Sequence, residues 1–151
     1  MIFFTDEKLQ NNTAHAEYEK YCKDNWNQFP DALKIIQYGQ LPEAMLNGLD
    51  KISLHDSRIT EFKQLGDILT IKLDADHLEN LSKVNLKYIG VMHLEKPTEN
   101  VLGTDIENPN SDVMCHEIML NDNHFQHSFL FASNEQLTIT FTEVELFYED
   151  Q

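Results

Sequence analysis

Positive charge, cysteine and long apolar runs are all scarce in this chain, and each shortage closes off a class of function. Lysine and arginine together number 11 against 26 aspartates and glutamates, a formal net charge of −15 with histidines neutral. The cations are scattered, so no basic face exists to neutralise a phosphate backbone, and the net field repels nucleic acid and anionic membrane surfaces. Cys22 and Cys115 are too isolated to form a disulfide framework, which fits a reducing compartment. No apolar run approaches the ~20 residues that cross a bilayer. The opening "MIFF" lacks the length and basic flank of a signal peptide. A cytoplasmic address is therefore expected. No G-x-S-x-G, P-loop or dinucleotide fingerprint occurs, and Gly66 and Gly103 sit in loops without phosphate-binding context.

What is present suits a soluble globular chain. Its 151 residues, 41% hydrophobic and 25% charged, fit one domain that buries a core without staples. Acidity has two readings: it keeps a small protein soluble, or it complements a basic partner.

Periodicity divides the chain into a helical part, 1–49, and a strand-rich part, 50–151, of a single α+β domain. Thr5 is a helix N-cap with Asp6 and Glu7 in the first turn. Ala14, Tyr18, Tyr21, Cys22, Asn25 and Phe29 then follow at near-helical spacing, in a helix that runs until Pro30 ends or kinks it. Trp26, among polar neighbours, fits an exposed helix end. "DALKIIQYG" restarts a helix with Asp31 as cap, and "LPEAMLNGL" adds a brief one between Pro42 and Gly48.

From Lys51 the period becomes two. "KISLHDSRITEF" and "DILTIKLDA" form a hairpin about Gly66, and "KVNLKYIGVMHLEK" is one longer strand. A loop runs from Pro97 to Ser111. "DVMCHEIMLND", "HFQHSFLFAS" and "EQLTITFTEVELFYED" complete a mainly antiparallel sheet of about six strands, able to curl into a half-barrel. In the last strand Leu137, Ile139 and Phe141 set one apolar phase, and Val144, Leu146 and Tyr148 the opposite one. A β-bulge near Thr142 or Glu143 would reconcile them. Phe125, Phe129, Phe131, Phe141 and Phe147 read as core.

The motif "SLHDSRI" holds the densest functional chemistry. In an extended strand His55 and Asp56 point to opposite faces, which excludes a catalytic dyad. Asp56 and Arg58 would share a face with Ile52 and Leu54 as a structural ion pair, and His55 would sit with Ser53 and Ser57 on the wetter side. Leu54, His55, Asp56, Ser57 and Arg58, after a helical start, resemble the Leu-His-Asp-small-Arg strand of a group of uncharacterised bacterial domains. Some similar small acidic proteins look like immunity partners in bacterial toxin systems. The resemblance implies binding, and it supplies no catalytic residue.

Other clusters are weaker. Cys115, His116, His124 and His127 match no common zinc spacing, and in strands their neighbours diverge. Asp74, Asp76, His77 and Glu79 lack the glycine and spacing of a calcium loop. No metal or cofactor is expected. Three functions remain: an immunity protein occluding a basic toxin such as a nuclease; a small hydrolase or metal-dependent enzyme using His55, Asp56 and the downstream histidines; and an assembly domain with an open strand edge. The first, a non-enzymatic binder, is preferred. Glu143, Glu145 and Glu149 on the last strand, with Glu99, Asp105, Glu107 and Asp112 on the acidic loop, are its candidate contact residues.

Overall fold

The computed structural model describes residues 1–39, 42–74, 81–98, 101–102 and 111–150. The Thr5 hydroxyl caps α1 (Asp6–Gln10), accepting from the Lys8 amide at 3.3 Å. The long helix expected up to Pro30 breaks at Asn12, whose φ of 59° lies in the left-handed region that asparagine tolerates. α2 (Ala14–Asn25) then presents Ala14, Tyr18 and Cys22 as its buried face, in the predicted spacing. Trp26 is buried in the 3₁₀ turn that follows, because its Nε1 donates to the Met45 carbonyl at 2.7 Å. Pro30, rather than Asp31, caps α3 (Asp31–Ile35), and α4 (Glu43–Leu46) ends at left-handed Asn47.

The strands among the described residues are β1 (Arg58–Leu65), β2 (Ile68–Asp74), β3 (Leu81–Ile89), β4 (His93–Glu95), β5 (Val113–Asn121), β6 (His124–Phe131), β7 (Gln136–Phe141) and β8 (Glu143–Asp150). They form two four-stranded antiparallel sheets, ordered β1-β2-β3-β8 and β4-β7-β6-β5, with no closed barrel. This replaces the single sheet of about six strands, because two runs that read as continuous strands each cross between sheets. One crosses after Ile89 and the other at Thr142.

The two crossings lie side by side. Thr142 donates to the Ile89 carbonyl from its amide at 3.1 Å and from its hydroxyl at 3.2 Å. Gly90 turns there with φ of +69°, and a Cβ on it would meet the Thr142 hydroxyl at 2.2 Å. The apolar phase flip at Thr142 is therefore a corner between sheets instead of a bulge within one. Beyond the corner Phe147 pairs with Asn85 on the outer face and is 52% exposed, so it is not core.

The core lies between the sheets. Leu69, Ile71, Leu73, Val84, Leu86 and Tyr88 of the first meet Ile118, Phe129, Phe131, Leu137, Ile139 and Phe141 of the second, with Leu33 and Ile36 packed alongside. A smaller cluster sets Phe4, Ala14, Tyr18 and Cys22 against Cys115 and Leu130. α2 also covers the open edge of β5: the hydroxyls of Tyr18 and Tyr21, one helical turn apart, accept from the amides of Ile118 and Leu120, each at 2.8 Å. No described helix is long and apolar enough to cross a membrane.

Residues 51–57 are not a strand, which corrects the reading of the motif. His55 and Asp56 form a turn, with Asp56 at φ of 63°. That turn aims the backbone at the start of β5. The Asp56 amide donates to the Val113 carbonyl and the Val113 amide to the Ser57 carbonyl, both at 2.8 Å. Arg58 Nε donates to Asp112 Oδ1, and these two residues also form an isolated bridge. The expected Asp56–Arg58 pair does not form. Asp56 points into solvent, Arg58 spans to the other sheet, and Ser57, placed on the wet side, is fully buried with its hydroxyl on the Leu54 carbonyl. The motif is a seam between the outer strands of the two sheets.

Two stability predictions follow from the corner and the seam. Gly90→Ala should lower unfolding free energy on the order of 2–3 kcal/mol in urea titrations, since it adds both strain and a clash, and Thr142→Ala in the same chain should recover part of that loss. Arg58→Ala and Asp112→Ala should each cost on the order of 1–3 kcal/mol and combine non-additively, whereas Asp56→Asn should stay within about 0.5 kcal/mol of the parent.

Candidate functional site

A cleft of about 670 Å³ lies between α2, the stretch Gln37–Gly39, the stretch from Lys51 to His55, and His116 of β5. A hollow of about 400 Å³ adjoins it and shares His15, Tyr38 and His55. Tyr38 is the common wall. Its ring centroid lies 5.1 Å from Phe4, 5.6 Å from His15, 5.7 Å from His116 and 6.3 Å from His55. Phe4 is held in place by Glu117, a buried carboxylate that accepts from the backbone amides of Ile2, Phe3 and Phe4.

Beneath the cleft runs a buried chain of side chains. The Tyr88 hydroxyl lies 2.9 Å from His127 Nδ1, and His127 Nε2 lies 2.9 Å from His116 Nδ1. Burial holds Tyr88 well above the ordinary tyrosine value and pushes His116 down to about 3, aided by Lys51 and His55. Burial, with His116 beside it, also holds His127 well below the ordinary value. Both imidazoles are neutral, so each carries one proton. If Tyr88 donates to His127 and His127 to His116, every proton along the chain is used and only His116 Nε2–H is left over. The reverse order would strand the Tyr88 proton as well. The first arrangement wins.

His116 Nε2 has no hydrogen-bond partner among the described residues, and neither has Gln37 Nε2. Gln37 is oriented by its other end, where Oε1 accepts from the Tyr18 hydroxyl and from the Cys22 thiol at 3.5 Å. Tyr18 already accepts from Ile118, so its own proton needs that oxygen. Lys51, half-buried on the cleft wall, is lowered by the same burial. Glu19 also lines the cleft, but its carboxylate is engaged by Lys23 at 3.0 Å.

The sequence-predicted residues are dispersed. His55 donates from Nδ1 to the Met114 carbonyl at 2.8 Å, leaving Nε2 3.4 Å from Asp56, so the turn brings together two side chains that an extended strand would separate. Between described residues, no serine, threonine or cysteine is seen bonded to a histidine ring: Ser53 accepts from the His55 amide, and burial pushes the thiols of Cys22 and Cys115 up to about 11 and about 12. No group of three or more described His, Cys, Asp or Glu gathers around a common point. Asp76, His77 and Glu79 lie outside the described residues, as do Glu99, Asp105 and Glu107. Asp112 is engaged by Arg58. Glu143 and Glu145 are exposed on β8, Glu145 facing Lys87 at 3.9 Å, and of Glu149 only the backbone is described.

Gln37, Tyr38, Lys51 and Tyr88 were not singled out from the sequence. The His116–His127 contact had a usable signal. A two-residue turn at Asp122–Asn123 pairs Asn121 with His124, which sets His116 and His127 diagonally on one face.

The buried histidines predict a pH dependence. The unfolded chain protonates them near 6.5, while the folded chain holds His116 to about 3 and His127 also low. Their contribution to stability is complete above the unfolded value and is lost as pH falls below it, by roughly 1 kcal/mol per pH unit for each histidine. Denaturation at pH 7, 6 and 5 should show this slope, and imidazole NMR should find both rings neutral while the chain stays folded.

No family model, curated protein or solved structure matches the chain.

Proposed function

We propose that this chain is an acidic binding protein, an immunity partner that neutralises a basic bacterial toxin by protein–protein contact. The observation that carries the proposal is the surface of β8. It is an outer strand whose paired neighbour is β3 alone, with α3 lying against it. Its end exposes Phe147 at 52% and Tyr148 at 57%, in the same strand as exposed Glu143 and Glu145. The outer strand β1 also exposes an apolar side chain, Leu65 at 67%, but along its length it carries exposed Glu61, Lys63 and Gln64, the charged and polar dressing that discourages edge pairing. Large aromatics on an edge strand instead suit an interface, where they supply affinity at the centre.

Charge supplies the rest. A net −15 steers a cationic partner, and the carboxylates stand in for the phosphates that a nuclease surface accepts. The mixed signs on the outer face of β3 and β8, where Lys87 faces Glu145, make charge a matter of encounter rate more than of final affinity. The resemblance of Leu54–Arg58 to a group of uncharacterised bacterial domains, with some similar small acidic proteins looking like immunity partners, points the same way.

Two observations check this: whether a neighbouring reading frame encodes a basic toxin-like protein, and the kinetics with which this chain binds such a protein. Phe147→Ala and Tyr148→Ala should raise the dissociation constant on the order of tenfold to a hundredfold, mainly through dissociation. Charge reversal by Glu143→Lys with Glu145→Lys should slow association at low salt and leave dissociation nearly unchanged. A salt-independent association rate, or four substitutions without effect, would remove β8 as the interface.

A further inference from the structure

The cleft walled by Tyr38 shares no lining residue with β8, and its chemistry is opposite to that of the protein as a whole. In a chain with 26 carboxylates, the buried side-chain atoms without a partner among the described residues belong to two residues that line this cleft, and both are hydrogen-bond donors. Gln37 Nε2 carries two N–H bonds and His116 Nε2 one, and both residues are 1% exposed. Buried polar groups are almost always paired, so two unpaired donors lining one cleft call for an acceptor that enters from outside. Lys51 adds a cation with no described carboxylate in salt-bridge range, since Glu19 is taken by Lys23.

We propose that this cleft is a binding site for a small flat carboxylate, such as an aryl carboxylate, whose two oxygens accept from Gln37, His116 and Lys51. A carboxylate fits better than a phosphate. One cation and neutral donors balance a single negative charge, whereas a dianion would add uncompensated repulsion in so acidic a protein. Flatness follows from the wall: the Tyr38 ring, with His15 and His55 within 6.3 Å of its centroid, offers aromatic faces to a planar body. The volume of about 670 Å³ is within the range of small-molecule sites. Two fixed supports preorganise the donors: Tyr18 orients the Gln37 amide, and the chain from Tyr88 through His127 sets the His116 tautomer.

Benzoate is the probe, with benzamide as its neutral counterpart, both titrated into the full chain and followed by NMR. Saturable shifts of the Gln37 side-chain amide and the His116 imidazole are expected with benzoate, at least about tenfold weaker with benzamide. Lys51→Met, which replaces a half-buried cation by an apolar side chain of similar length, should keep the melting temperature and weaken benzoate about tenfold. Gln37→Met should abolish the His116 response; were that variant to unfold, Lys51→Met still decides. Shifts absent up to about 10 mM benzoate, equal responses to benzoate and benzamide, or unchanged affinity in a folded Lys51→Met chain would each overturn the proposal. Inorganic phosphate binding more tightly than benzoate would overturn the assigned ligand class.

Discussion

The corner at Gly90 and Thr142 is the constraint from which the architecture follows. Two neighbouring stretches of chain turn there together, each leaving one sheet and entering the other. The turn is possible because Gly90 leaves room for the Thr142 hydroxyl, which in turn accompanies its own amide onto the Ile89 carbonyl. Without this close approach the two sheets would continue flat, and the apolar faces of β2, β3, β6 and β7 would have no common interior. Tyr88 illustrates the dependence. It sits just before the corner on β3, yet its hydroxyl reaches His127 on the opposite sheet, so the buried chain ending at His116 exists only because the sheets fold over one another.

The seam does the complementary work on the far margins. β1 and β5 are the outer strands of their sheets, and Asp56, Ser57 and Arg58 tie them together through Asp112 and Val113. The turn at His55 and Asp56 that permits this also sets the preceding residues, Lys51 to Leu54, along the cleft. The densest motif of the sequence thus acts through position. Its polar side chains hold backbone in place, and the donors of the cleft come from Gln37, Lys51 and His116, residues far apart in the chain.

Local periodicity made much of the fold legible. The buried face of α2, the hairpin about Gly66, the core residues Leu69, Ile71 and Leu73, and the phase flip at Thr142 all follow from spacing within one element. The same flip was assigned to a bulge because one sequence signature serves both a bulge and a corner; only pairing with a second strand separates them. The motif was misread because alternation was extended through Asp56, a residue type that readily takes positive φ and here ends the alternation. Arg58 with Asp112, and Gln37 with Tyr18, join residues whose proximity depends on the finished fold, so no spacing could announce them.

The cover over β5 bears on whether that sheet can be extended at its edge. The amides of Ile118 and Leu120 on that outer strand are satisfied by two tyrosine hydroxyls, while Glu117 between them grips the first few residues of the chain. Segment and helix are thereby fastened to one strand by consecutive residues on its alternate faces and edge. Were they to lift away together, a strand of apolar side chains would offer unpaired backbone to any other extended chain, including a second copy of itself. The N-terminal helices are in this sense an internal chaperone: they occupy, with side-chain oxygens, the bonds through which the sheet would otherwise grow.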